Sequence, residues 1–219
     1  MIILALDTTS EFGSLALRSN GVTIAEHQVY SREGFAHLIF QAIDRICRES
    51  EVRFAEIDCF AAASGPGSFT GVRVGLSAVK GLAEALGKAA VGISNLRALS
   101  SFGKLRVRAV AMDTRRGDVY AAVYDWERRP VIPDSTANFS VWLEALSAPV
   151  DEFVFPRASA GLQDLLRATR FATLPVTTAP DYLAAAVAVC AEKDGLQGSW
   201  TDPAAVDANY VREFSAREQ

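Results

Sequence analysis

Histidine and cysteine are scarce in this chain: its 219 residues include two histidines and three cysteines. His27 and His37 form no His-Glu-x-x-His or His-x-x-x-His pattern, so the spacing of a zinc hydrolase is missing. Cys47, Cys59 and Cys190 are odd in number and contain no Cys-x-x-Cys pair. A disulfide framework and a thiolate zinc site are thereby excluded, and the cysteines read as reduced core thiols of a cytoplasmic protein. No apolar run reaches the about 18 residues that a membrane span needs. The start, Met1-Ile2-Ile3-Leu4, lacks the basic region and cleavage site of a signal peptide and reads as a strand. Gly-x-Ser-x-Gly, the turn of a serine hydrolase nucleophile, is also missing. Positive charge is not in excess. The formal net charge is −4, which argues against a protein that grips nucleic acid alone.

Apolar residues are plentiful, at 50% of the chain, so a sizeable core is available. Ile2 to Asp7 is a continuous apolar run ending on an acid, as in a strand covered on both faces. Gly13 to Leu17 and Val22 to Val29 follow as strands, with Asn20-Gly21 as the hairpin turn between them. Helical spacing predicts a helix over residues 33–49, with Phe35, Leu38, Ile39, Ala42, Ile43, Ile46 and Cys47 on one face. Ile57 to Ala63 reads as a buried strand and Val72 to Leu86 as a helix closed by Gly87. Ala89 to Ile93 is a further strand, and Ser94 caps a short helix. A second round begins with Val107 to Met112, reaches Asp113, and returns along Asp118 to Tyr124. Short helices follow near residues 141–146, 161–168 and 182–192. Hairpin strands followed by helix and strand, twice, predict an α/β fold with mixed sheets. The two-lobed actin-like, sugar-kinase and heat-shock-protein architecture has this plan, with lobes over residues 1–103 and 104–219.

The most informative segment is Ser64-Gly65-Pro66-Gly67-Ser68-Phe69-Thr70-Gly71-Val72-Arg73. A glycine turn between a strand and a helix start offers free backbone N–H groups. It can hold an anion, or it can let another backbone approach closely. Gly71, Gly75, Ala78, Leu82 and Ala85 continue it as a mostly small row on the helix, suited to close packing with another helix. Asp7-Thr8-Thr9-Ser10 stands where an actin-like ATPase has the phosphate turn Asp-x-Gly-Thr/Ser, with Thr9 in place of the glycine. Asp113-Thr114-Arg115-Arg116 stands where a second such turn falls, and Arg115 beside it is suited to an anion. A hairpin with solvated arginines fits the same residues. The Gly-Gly turn of an adenosine pocket is missing, because Gly161, Gly195 and Gly198 are isolated.

The segment from Ser64 to Arg73 resembles the hallmark Gly-Pro-Gly-Ser-Phe-Thr-Gly-x-Arg of the TsaB (YeaZ) family. Asp7-Thr8-Thr9, Ala78 to Ala83, Gly92 to Leu96, Asp113 to Tyr120 and Asn209 to Arg212 resemble further segments of that family. Asp118 replaces a glutamate and Ala208 a proline of its pattern. The resemblance implies a subunit without catalytic or metal-binding residues that acts in making threonylcarbamoyladenosine. It implies a heterodimer with TsaD, the transferase acting on N6 of adenosine 37 in tRNAs that read ANN codons. TsaE joins the pair, tRNA is met through the complex, and the isolated chain forms a homodimer. Phe35, Leu38, Ile39 and Ala42 of the first helix, with Gly71, Gly75, Ala78 and Leu82 of the second, are then the partner-binding residues. No cofactor is expected on the chain alone, while ATP or ADP is compatible with the complex interface. The competing readings are an autonomous actin-fold ATPase or kinase, motivated by Asp7 and Asp113, and a peptidase.

Overall fold

The structure is a computed structural model that describes residues 1–114 and 116–213. The first half runs β1 (Ile2–Asp7), β2 (Phe12–Ser19), β3 (Val22–Tyr30), α1 (Ile39–Glu49), β4 (Cys59–Gly65), α2 (Phe69–Leu86), β5 (Ala89–Ser94) and α3 (Asn95–Ser100). The second runs β6 (Arg108–Asp113), β7 (Asp118–Tyr124), β8 (Pro130–Asn138), α4 (Phe139–Ala145), β9 (Glu152–Pro156), α5 (Gly161–Arg167), β10 (Val176–Ala179), α6 (Ala184–Leu196) and β11 (Arg212–Glu213). Among the described residues one sheet has the order β3-β2-β1-β4-β5 and the other β10-β9-β6-β7-β8-β11. In each, an antiparallel meander of three strands is extended in parallel by the next two. The α/β plan read from the sequence is therefore built twice, one copy bearing β11 as an added edge. Among the described residues, no helix is long and apolar enough to cross a membrane.

Two compact units result. The first is Met1–Ala98 with Tyr182–Asn209; the second is Leu99–Asp181 with the described residues from Tyr210 onward. The expected lobes, 1–103 and 104–219, thus need correction. The first break falls close to its expected place, but the chain later returns to the first unit. The cause is the composition of β1 and β4, whose interior residues are apolar on both faces and fully buried. On one face Leu4, Leu6, Leu15, Leu17 and Phe60 pack with Ile43 and Ile46 of α1 and Leu76 and Val79 of α2. The other face carries Ala5, Ala16 and Ala61, and it needs its own cover. That cover is α6, whose buried Ala184, Ala188 and Ala191 let it lie close against β1, β2 and β4. Ser14 Oγ accepts the Ala184 amide at 3.0 Å. Arg97 binds both oxygens of Asp194, at 2.8 and 2.6 Å. Glu192 accepts from Arg18 Nε and from the Gly21 amide, each at 2.7 Å.

Local rules account for most element ends. Asn20 and Gly21 take φ of 46° and 86° between β2 and β3, as a tight hairpin turn requires. α1 begins at Ile39 rather than near residue 33, because Gly34 has φ of +86° and residues 35–38 form a separate turn. α2 begins at Phe69 rather than Val72, because Ser68 is its N-cap and accepts the Gly71 amide at 3.2 Å. In the second unit the core is aromatic, with Phe139, Trp142, Phe153 and Phe155 buried together. Glu152 and Arg108 are buried there too, and Arg108 donates to the carbonyls of Leu105 and Ser100 at 2.8 and 3.1 Å.

All three cysteines are free and buried. Burial pushes the Cys47 thiol up to about 11 and the Cys59 thiol up to about 12. Both are therefore held as unreactive thiols at neutral pH. A chain ending at Asp181 lacks α6 and leaves the Ala5–Ala16–Ala61 face uncovered. Hydrogen exchange on that truncated chain is expected to show β1 amides unprotected. Full protection of β1 would overturn the assignment of α6 as obligatory cover.

Candidate functional site

β4 ends on Gly65, whose φ of +102° turns the chain, and the Gly65–Pro66 peptide bond is cis. The chain then passes over the Asp7–Ser10 turn before entering α2. The Ser68 amide donates to the Thr9 carbonyl at 2.7 Å, and Thr8 Oγ1 donates to the Gly71 carbonyl at 2.7 Å. A Cβ at Gly67 would lie 2.7 Å from the Thr9 carbonyl oxygen, and one at Gly71 would overlap the Thr8 carbonyl. A Cβ at Gly75 would lie 2.7 Å from Thr8 Oγ1. Of the two uses open to a glycine turn, close backbone approach is the one built here. Several of the amides around the helix start serve the chain itself. Gly65 donates to Asn95 Oδ1 at 3.0 Å, Gly71 to Ser68 Oγ at 3.2 Å and Val72 to the Ser68 carbonyl at 2.8 Å.

Asp7 lies at the centre of this packing and is 1% exposed. Its Oδ1 accepts the Thr9 amide at 3.0 Å and Thr9 Oγ1 at 2.7 Å, and the Leu183 amide also donates to the carboxylate. Burial raises its pKa above the ordinary range, opposed by those donors. Thr9, in place of the glycine of a phosphate turn, supplies the acid with a ligand from the next turn of its own chain. Two residues that the sequence reading placed in family-resembling segments but gave no role complete the arrangement. Asn95 follows the Ser94 cap and donates from Nδ2 to Thr9 Oγ1 at 2.6 Å. Asn209 donates its amide to the Ser64 carbonyl at 2.8 Å, while Lys80 Nζ holds the Val206 carbonyl at 2.8 Å. A lone asparagine amid Ile93 and Leu96 was the available signal for the first. For the second the family-resembling segment Asn209 to Arg212 was the signal, but not its contact with Ser64, which lies far off in the sequence.

The second turn differs. Asp113 is exposed, and its amide donates to Ser159 Oγ at 2.9 Å. Thr114 closes a hairpin by donating from Oγ1 to the Asp118 carbonyl at 2.9 Å. Arg115 lies outside the described residues. Among the described residues no trio of histidine, cysteine, aspartate or glutamate could hold a metal ion.

Part of the expected partner row is turned inward. Phe35, Ile39, Gly75 and Ala78 are buried within the first unit, and Leu38, Ala42, Gly71 and Leu82 are half-buried. Gly71 and Gly75 are small because Thr8 lies against them. The outward row of α2 lies elsewhere: Phe69, Arg73, Ser77 and Gly81 are exposed at intervals of four. The Arg73 guanidinium stands 3.3 Å from the Phe69 ring centroid, and a Cβ at Gly81 would meet nothing within 4 Å beyond its own stretch of helix. On α1, Phe40 and Gln41 are exposed.

The model of the family described as TsaD, tRNA N6-adenosine threonylcarbamoyltransferase, matches residues 29–193. The tRNA threonylcarbamoyladenosine biosynthesis protein TsaB of Bacillus subtilis strain 168 is 30% identical over 151 residues, covering 67% of this chain and 66% of that protein. Its namesake in Escherichia coli strain K12 is 36% identical over 129 residues, covering 57% and 55%. The chain therefore spans less than two thirds of the length of either curated relative. YeaZ from Pseudomonas aeruginosa has the same fold, with a TM-score of 0.78 at 22% identity over 96% of this chain and 99% of that one.

Gly71→Ala is expected to destabilise the protein by about 3 kcal/mol, because the new methyl meets a backbone carbonyl that cannot move aside. Gly81→Ala, in open space on the same helix, is expected to stabilise it by about 0.5–1 kcal/mol through helix propensity. Chemical denaturation of the two variants beside the parent checks both; equal effects would show that Gly71 is not held against Thr8.

Proposed function

Since this chain belongs to the TsaB (YeaZ) family and to the wider TsaD family, we propose that it is a non-catalytic subunit in the synthesis of threonylcarbamoyladenosine in tRNA. It binds TsaD, which transfers threonylcarbamoyl to N6 of adenosine 37 in tRNAs reading ANN codons, and TsaE joins the pair. tRNA is met through the complex, and the isolated chain pairs with itself. The chain contributes no reacting group and binds no nucleotide alone; ATP or ADP belongs to the complex interface. The observation that carries this reading is the state of the Asp7 turn. Its carboxylate is buried and engaged by Thr9 and Leu183, and the glycine turn above it is packed against the Thr8–Thr9 backbone. A phosphate turn needs its acid and its amides for the ligand.

The partner surface in this reading is the outward side of α1 and α2. Phe69 and Phe40 are 60% and 59% exposed there, and the Ser77–Gly81 stretch of α2 lets another helix come close. Arginine and aromatic side chains are typical anchors of such surfaces.

Reconstitution tests the reading. TsaD, TsaE, the adenylate-forming synthase, tRNA, threonine, bicarbonate and ATP are combined with and without this chain, and modified adenosine is quantified. Modification is expected to depend strictly on the chain, which makes none without TsaD. Undiminished modification in its absence would remove the reading and favour autonomous nucleotide binding. Gly81→Trp is expected to fold with an unchanged melting temperature yet weaken TsaD binding by about tenfold or more, whereas Gly75→Trp is expected not to fold. Normal binding by Gly81→Trp would move the partner surface elsewhere.

A further inference from the structure

A polar chain of contacts runs through the interior of the first unit. Asp7, Thr9 and Asn95 are 1%, 3% and 0% exposed. Thr9 Oγ1 donates to Asp7 Oδ1 at 2.7 Å and accepts from Asn95 Nδ2 at 2.6 Å. The donated bond fixes which way the Asn95 amide faces, so that its Oδ1 meets the Gly65 amide at 3.0 Å. The Thr9 carbonyl meanwhile accepts the amide of Ser68, the N-cap of α2, at 2.7 Å. Thr9 thus governs both ends of the four-residue passage from β4 into α2: one through its hydroxyl and Asn95, the other through its carbonyl. Apolar side chains of similar shape would fill this space without the desolvation of three polar groups. A buried polar network that is satisfied at each of these contacts gains orientation in return, because its members can meet in only one arrangement.

Resting on the reading of this chain as a TsaD partner, we infer that Thr9 and Asn95 are positioning residues for the partner surface. They set the height and rotation of the first turn of α2, and so the place where Phe69 and Arg73 stand together. Neither touches the partner. A helix start seated without their side chains would retain the Ser68–Thr9 bond and the Asn209 contacts at Ser64 and Gly65 but lose the Asn95 anchor at the Gly65 amide. The passage would then be held less tightly at its Gly65 end, and the Phe69–Arg73 pair would be presented in several positions rather than one. Affinity falls when a surface must be ordered on binding.

The test replaces both members by apolar groups, Thr9→Val with Asn95→Leu, so that neither polar group is left facing an apolar neighbour, while Asp7 keeps the Thr9 and Leu183 amides as donors. Thr9→Ser, which keeps the hydroxyl, is the rescue variant. Hydrogen exchange is read at the Gly65, Ser68 and Val72 amides, and affinity for TsaD is read by titration. In the double variant three buried hydrogen bonds are lost, and exchange is expected to rise, and affinity to fall, each by about tenfold or more. Thr9→Ser is expected to match the parent in both. Unchanged exchange overturns the inference, and so does faster exchange with unchanged affinity. A double variant that does not fold, while Thr9→Ser does, also overturns it, because the network is then required for the fold itself. Failure of the parent chain to bind TsaD is recognised separately, in the parent titration, and overturns the partner reading together with the inference built on it.

Discussion

The first unit depends on how closely two backbones approach one another: the Thr8–Thr9 turn after β1 and the start of α2. No side chain fits between them at Gly67, Gly71 or Gly75. The helix accepts a loss for this, since each glycine in a helix interior costs about 1 kcal/mol relative to alanine. Burial of Val72, Leu76 and Val79 beneath it offsets that loss, each such side chain contributing about 1.5–3 kcal/mol. With the approach in place, β1, β4 and α2 are one body, and the acid at the end of β1 is enclosed. The enclosure explains why Asp7 is satisfied by protein donors, Thr9 and the Leu183 amide, and why Asn95 is needed beside Thr9.

The two halves show how far a shared topology carries. Each has a meander, two parallel strands and helices between them, and each first strand ends on an aspartate. Only one of those aspartates is enclosed. Asp7 precedes two threonines and faces a glycine turn, whereas Asp113 opens a hairpin closed by Thr114 and is exposed. The difference resides in the residues beside each acid, which a topology does not specify.

Much of the fold was legible in the sequence, and the reasons are local. The hairpin at Asn20-Gly21, the Ser94 cap and the Gly87 stop each follow from one or two residues with strong conformational preferences. The repeat of the plan was visible because both halves open with an apolar run reaching an acid. The glycine turn was legible as a place of importance, but its use was not, since an anion and a backbone place the same demand on a glycine. The inward direction of Gly71 and Gly75 was hidden for a similar reason: small residues mark close packing without saying whether the neighbour is in the same chain. Asn95 stood out only as a lone asparagine between apolar residues, and the roles of Lys80 and Asn209 were illegible because their partners are distant in sequence. The return of α6 was hidden in the same way, as alanine-rich helices fit any small-residue face.

The late position of α6 has a consequence for how the protein is made. The residues that cover the Ala5–Ala16–Ala61 face leave the ribosome only after β6 to β10 have done so. At about 5–20 residues per second, the first strand waits on the order of ten seconds or more for its second cover. The second unit, whose core lies between Leu99 and Asp181, needs no such wait. β1 and β2 are therefore made long before their second cover, and their bare alanine face is the surface a nascent-chain chaperone would meet.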